Sequence, residues 1–262
     1  MWINYIAYTL ISLVNVYCIS TFTTVTSSKT DNAVFIYPGQ VNIVIYVWCV
    51  ERIINLCLIF VKAKSERDLS ICEQHSVCNI VHLRFWFPNQ VERLCKCPNR
   101  EECPWEWSTN DNLSMPLDNR SQLKFCKPIN ELPDCTTKAD ESITIVKSRE
   151  DNDVKIKAKV HCNCPHHTTW ELIKHEQKDQ HNETTDISYV EDLFKCKKLK
   201  DCNSGEFCGY IRTDYYSTYT KCTCPYGHLC LHKDRQESTT YEMLFYGTSY
   251  RAECTQLSAE LK

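Results

Sequence analysis

Cys95-Lys96-Cys97-Pro98, Cys162-Asn163-Cys164-Pro165 and Cys222-Thr223-Cys224-Pro225 share the pattern C-x-C-P. This recurrence restricts the fold more than any other feature of the chain. In an extended strand, two residues separated by one share a face, with Cα atoms about 6.6 Å apart. That spacing is at the edge of what a disulfide tolerates. The two cysteines of each pair are therefore expected to bond elsewhere, one to an earlier and one to a later cysteine. Spacing leaves open which takes which.

The chain has 19 cysteines, and 16 of them lie between Cys72 and Cys254. The other three, Cys18, Cys49 and Cys57, fall in apolar N-terminal stretches, and setting them aside leaves an even number for pairing. The 16 divide into Cys72, Cys78, Cys95, Cys97, Cys103 and Cys126; then Cys135, Cys162, Cys164 and Cys196; then Cys202, Cys208, Cys222, Cys224, Cys230 and Cys254. The first and third groups both open with C-x5-C and both carry C-x-C-P-x4-C. The middle group lacks the second cysteine of C-x5-C and the one after C-x-C-P. Two positions missing together are expected partners where present, which pairs Cys78 with Cys103 and Cys208 with Cys230. Trp105-Glu106 and Trp170-Glu171 echo each other after their C-x-C-P motifs, and self-similarity at this period points to a repeated architecture.

Cysteine at this density belongs to an oxidising compartment. A zinc scaffold would use C-x2-C knuckles, and the sequence has none. Met1 to Val16 is short and apolar and is followed by small residues, as in a secretory leader over 1–20, although no charged region precedes it. Residues 21–71 are harder to place. Val41 to Val61 is apolar but carries Glu51-Arg52 near its middle, which weighs against a span across hydrocarbon. A membrane anchor, part of a longer leader and a gene-model artefact all remain open for it. The net charge of -3 gives no electrostatic case for nucleic acid or an acidic membrane.

The expected organisation is mainly β and disulfide-rich, with three hairpin units at 72–134, 135–196 and 197–262, each built around a C-x-C-P motif. Asn79 to Leu94 forms the first hairpin, with Ile80 to Phe87 as a strand and Pro88-Asn89-Gln90 as the reversal. Ser142 to Val160 forms the second. In it Val154, Ile156, Ala158 and Val160 alternate with Lys155, Lys157 and Lys159, a period of two that separates an apolar face from a solvated basic one. Gly209 to Lys221 forms the third, turning near Asp214. Each unit is expected to add one more strand: Gln122 to Phe125, Ile187 to Phe194, and Tyr241 to Tyr246 with Gly247 as a break. Thr109 to Gln122 and Lys174 to Thr185 have the composition of polar linkers, and they hold three N-x-S/T sequons at Asn112, Asn119 and Asn182.

Little in the chain points to catalysis. His161, His166, His167, His175 and His181 cluster around the second C-x-C-P, but their spacing fits no tight ligand set, so no metal or other cofactor is expected. No G-x-S-x-G, H-E-x-x-H or P-loop occurs, and the expectation is a non-enzymatic protein. Aromatic clusters are the better candidates for function. Phe85, Trp86 and Phe87 cannot all face inward from one strand, and with Tyr215, Tyr216 and Tyr219 they are the candidate anchors for a protein partner.

The C-x-C-P units, the R-S-Q-L-K-F-C segment at Arg120 to Cys126 and the closing Y-E-M-L-F-Y-G-T-S-Y-R-A-E-C at Tyr241 to Cys254 resemble an arthropod family of secreted cysteine-rich proteins. That family includes the centipede scoloptoxin family 11, and the resemblance covers roughly Cys72 to Cys254. It implies secretion and, for the venom members, action on ion channels. The plan of three disulfide-rich β units is also similar, more weakly, to the Argos (giant-lens) antagonists that sequester EGF-receptor ligands. The partner expected on these grounds is an extracellular protein: an ion channel or receptor, or alternatively a growth factor held by a decoy.

Overall fold

The structure, a computed structural model, describes residues 22–23, 27–30, 33–37, 44–45, 66–85, 87–135, 140–150, 153–181 and 186–257. The leader at 1–20, Trp86, Asn182 and all of the apolar stretch at 41–61 except Val44–Ile45 lie outside the described residues. The chain is mainly β. Its described residues include three short 3-10 turns and no α-helix, so none is long and apolar enough to cross a membrane.

Eight disulfides organise the strands. The first cysteine of each C-x-C takes the early cysteine, giving Cys72–Cys95, Cys135–Cys162 and Cys202–Cys222. The second takes the late cysteine, giving Cys97–Cys126, Cys164–Cys196 and Cys224–Cys254. Cys78–Cys103 and Cys208–Cys230 complete the set, and the middle group has no counterpart to them. A backbone clip accompanies each C-x-C. The residue between the two cysteines bridges in parallel to the residue just before the early cysteine: Lys96 to Ile71, Asn163 to Asp134, and Thr223 to Asp201. The early cysteine's N–H then donates to the bridging residue's carbonyl, at 2.8 Å from Cys72 to Lys96, 2.9 Å from Cys135 to Asn163 and 2.9 Å from Cys202 to Thr223. Sulfur and backbone thus fix the same two chain segments from one point.

Three sheets grow from these clips. The first is built from Ser27–Thr30 (β1), Ala33–Ile36 (β2), Val77–His82 (β3), Asn89–Arg93 (β4), Ser114–Pro116 (β5) and Ser121–Phe125 (β6), in the order β1-β2-β4-β3-β6-β5. The second comprises Glu141–Glu150 (β7), Asp153–Val160 (β8), Thr168–His181 (β9) and Asp186–Lys198 (β10), in the order β8-β7-β10-β9. The third comprises Phe207–Arg212 (β11), Thr218–Thr220 (β12), His228–Leu231 (β13), Glu237–Glu242 (β14) and Phe245–Gln256 (β15), in the order β12-β11-β15-β13, with β14 also paired to β15. Within 21–71, Ala33–Ile36 is therefore a strand of the first sheet. It runs parallel to β4 and buries Ala33 and Phe35.

Strand β3 is buried along its whole length because both of its faces are covered. Ile80 enters the main core, whereas Val81 packs with Ala33, Phe35 and Val91 in a smaller cluster. The main core is shared between sheets. Val77, Ile80, Leu123 and Phe125 of the first sheet meet Ile143, Ile145, Ala158, Val160 and Phe194 of the second. Met243, from the turn between β14 and β15, enters the same core and is 2% exposed. Beside it, Tyr241 Oη donates to the fully buried Asp192 of β10, which also binds His175 Nδ1 at 2.6 Å. Lys147 Nζ donates to Tyr241 Oη at 3.3 Å and lies over its ring. This hairpin tip joins the third sheet to the second.

Five local expectations fail. Tyr241 to Tyr246 is a reversal rather than a single strand: Glu242 pairs with Phe245, and Met243 takes a positive φ of 39°. Tertiary burial of Met243 stabilises a turn whose apolar letters resemble a strand. Gly247 does not break the strand; it pairs with Thr240 inside β15, and the Phe245 ring lies where a Cβ would be, 2.9 Å away. Lys174 to Thr185 is not a linker up to His181, because β9 continues through it. An edge strand with solvent on its side chains has the composition of a loop, and cross-strand pairs such as Glu171 with Lys195 hold it. Thr109 to Gln122 likewise contains β5 and the start of β6. Finally, β3 stops at His82, and Asn89-Gln90 belong to the returning β4, so the first reversal is the longer loop 83–88.

Two expected outcomes follow. Replacing Met243 by Ala should cost about 2–5 kcal/mol, because a buried thioether side chain is lost from the shared core, measurable as a fall in denaturant midpoint. Removing Cys78–Cys103 by paired Ser substitutions opens a loop spanning 25 residues. It should cost about 3 kcal/mol on loop-entropy grounds, read the same way.

Candidate protein-binding surface

Three chain reversals, two from the first sheet and one from the third, converge at one end of the molecule. They are the loop 83–88, the turn 117–120 between β5 and β6, and the tip 213–217 between β11 and β12. Their backbones are tied directly. Leu83 N donates to Arg120 O at 2.8 Å, Arg120 N donates to Asp118 Oδ1 at 2.7 Å, and Thr218 N donates to Asn119 Oδ1 at 2.8 Å.

Beneath them lies a buried polar network. His82, at the end of β3, engages Ser121 Oγ through Nδ1 at 2.9 Å and Glu92 Oε1 through Nε2 at 3.2 Å. The Tyr215 ring stacks on His82, with centroids 4.4 Å apart and planes 12° from parallel. Arg212 binds Asp214 with two hydrogen bonds, Nε to Oδ1 at 2.8 Å and Nη2 to Oδ2 at 2.6 Å. Its guanidinium also lies against the rings of Tyr215 and Phe245. Burial works against the charges here, but partners outweigh it. Glu92 is held below the ordinary carboxylate value despite desolvation, because His82 and then Arg212 favour its anion. Arg212 is raised despite burial, through Asp214, Tyr219 and Glu92. Tyr215 and Tyr219 are pushed up, first by burial.

A Ser–His–Glu contact set invites comparison with a hydrolytic triad. Ser121 is fully buried, however, and Tyr215 covers the histidine, so no substrate could reach the hydroxyl. The network is a support. Sequence reasoning missed it, since residues 82, 92 and 121 have no motif spacing.

What the support carries is aromatic and cationic. Phe85 is 57% exposed and Phe87 63%, from the first loop, and Tyr216 is 51% exposed, from the third tip. The Arg120 guanidinium lies 3.4 Å from the Phe85 ring centroid, and that of Arg84 lies 5.0 Å from Phe87. Of the six candidate anchors, then, Phe85, Phe87 and Tyr216 face solvent. Tyr215 and Tyr219 are buried, 9% and 8% exposed, and serve as underlay instead of contact residues. Their burial follows from docking of the third sheet, which strand alternation alone does not reveal.

Elsewhere, two clefts of about 490 Å3 and 730 Å3 share Trp170 as a common wall. Asn119, His166 and His167 line the smaller, and Tyr241, Met243 and Phe207 line the larger. Asn112 and Asn119 are both exposed on their turns. The histidines near the second C-x-C-P separate: His161 Nε2 meets Thr144 Oγ1 at 2.8 Å, whereas His175 goes to Asp192. Burial lowers the His161 pKa. Among the described residues, every cluster of three close ligand-type side chains consists of cystine sulfurs, which offer no thiolate to a metal.

The network makes a prediction about pH. Because the Glu92 pKa lies below its ordinary value of 4.5, its contribution to stability is present above that value and lost as pH falls through the lower folded one. The melting-temperature gap between wild type and Glu92→Gln should be widest near neutrality and should close on acidification below about pH 4.

Comparison with known proteins returns two related groups. The family model described as "Antagonist of EGFR signalling, Argos" matches residues 116–239. Kappa-scoloptoxin(11)-Ssd1b from Scolopendra dehaani is 30% identical, over 64% of this chain and 79% of its own. U-scoloptoxin(11)-Sm7a from Scolopendra morsitans is 28% identical, over 59% and 69% respectively. The crystal structure of unliganded Argos is 25% identical and covers 75% of this chain and 96% of its own, with a TM-score of 0.47.

Proposed function

Because this chain belongs to the scoloptoxin(11) family, we propose that it is a secreted, non-enzymatic binding protein that modulates a channel or receptor at the cell surface. The observation that carries this reading is the exposed Phe85–Phe87–Tyr216 surface with its two stacked guanidiniums. Exposed aromatics cost solvation unless a partner covers them, and aromatic side chains with Arg dominate binding energy at protein interfaces. Here they rest on a network of hydrogen bonds and ring stacks, which reduces the entropy lost on binding. In this reading the chain carries three copies of one unit, a hairpin plus further strands pinned by a C-x-C-P clip. The recurring disulfides and strand orders support that division. A secretory leader over 1–20 and glycans at Asn112 and Asn119 fit the same picture.

A second reading has its own support. The match to the Argos model over 116–239 and the two clefts around Trp170 favour a decoy that captures an EGF-like ligand. The two readings place contact on different surfaces, so mutation separates them. Under the first, Phe85→Ala with Phe87→Ala should weaken binding of the labelled protein to insect neurons at least tenfold, and should abolish any effect on their membrane currents. Trp170→Ala should leave both intact. Under the second, the protein should co-elute with an EGF-like growth factor in size-exclusion chromatography, and Trp170→Ala should end the co-elution.

A further inference from the structure

We infer that the surface of Phe85, Phe87 and Tyr216 recognises an acidic side chain on its protein partner, a carboxylate set beside an apolar group. This rests on the first reading above, which assigns binding to that surface, and adds the chemistry of what is bound.

The arginines differ in how their charge is met. Arg212 is buried and closed by Asp214 through two hydrogen bonds. Arg84 and Arg120 are half-exposed, and among the described residues neither forms an ion pair. Asp118 acts on Arg120 through charge, but its Oδ1 is already taken by the Arg120 backbone N–H. A guanidinium over an aromatic face is held in plane by the ring and keeps its N–H fork available. Arg120 is held further by its backbone, since its N–H and its C=O are both bonded. A planar fork with restricted freedom matches a carboxylate bidentately, and the flanking rings at 57% and 63% exposure match an apolar neighbour.

Polyanions are a poorer match. The whole chain carries -3, so a sulfated glycan or an anionic membrane meets net repulsion away from these two arginines. A single carboxylate on a protein surface needs only the local fork.

The test uses the full disulfide-bonded chain and two blocked pentapeptides, one alternating leucine with glutamate and the other leucine with glutamine. Titration is followed by the arginine Nε–Hε and Phe85 ring signals in NMR spectra. The acidic peptide should produce saturable shifts at Arg84, Arg120 and Phe85. Arg120→Gln should weaken it about tenfold, and Arg120→Lys should weaken it less because it keeps the charge but not the fork. Equal shifts with the glutamine peptide, or stronger binding of a heparin fragment at these signals, would overturn the inference. Cell binding separates the two levels. If Phe85→Ala with Phe87→Ala abolishes it but Arg84→Gln with Arg120→Gln does not, the surface stands and carboxylate recognition is wrong. If neither pair changes it, the surface itself is misassigned, and the first reading falls together with this inference.

Discussion

The C-x-C pair, whose two sulfurs bond away from each other, is the constraint from which the rest of this architecture follows. Because adjacent C-x-C cysteines bond away from each other, each pair ties one strand end to both an earlier and a later part of its sheet. The parallel bridge at Lys96, Asn163 or Thr223 adds backbone hydrogen bonds at the same point. A sheet of four to six strands has too little interior to hold such a long chain segment by burial alone. Cross-linking its three sequence-distant parts reduces the freedom of the unfolded chain and leaves the strands to align by hydrogen bonding.

The sheets are not independent beads. Ile80, Leu123 and Phe125 share one core with Ile143, Val160 and Phe194, so the first two sheets stabilise each other. The third is attached through a hairpin tip, with Met243 in that core and Tyr241 on Asp192. Asp192 is a fully buried carboxyl group, and such a group is tolerated only with close partners. His175, Tyr241 and the nearby Lys147 supply them from two sheets.

The same attachment assembles the proposed binding surface. Stacking of Tyr215 on His82 and the Asn119–Thr218 bond bring the tip of the third sheet onto the loop of the first. The loop that carries Phe85 and Phe87 is thereby brought to the same end of the molecule as the tip that carries Tyr216, although the two lie far apart in sequence. Docking of the sheets thus builds the surface and fixes which aromatics show on it.

Cysteine spacing made much of the framework legible. It separated three groups, singled out Cys78 with Cys103 and Cys208 with Cys230, and kept the C-x-C cysteines from bonding each other, because strand geometry and disulfide reach are local constraints. The alternation around Val154 to Val160 marked β8 for a similar reason. Local pattern failed where a distant contact decided the outcome. The polar run of β9 became a strand only by pairing with β10, and Tyr241 to Tyr246 became a turn only because Met243 found a core. The sequence by itself determined the oxidising chemistry, the β class and the grouping of cysteines, all of which depend on residues a few positions apart or on composition. Tertiary structure alone decided which sulfur of each C-x-C takes which partner, that Tyr215 is buried while Phe85 is exposed, and that Arg84 and Arg120 lie over aromatic faces. Those outcomes depend on sequence-distant segments meeting, within one sheet for the cystines and for Arg120 on Phe85 and between sheets for Tyr215 on His82, and nothing in the spacing of one segment encodes the position of another.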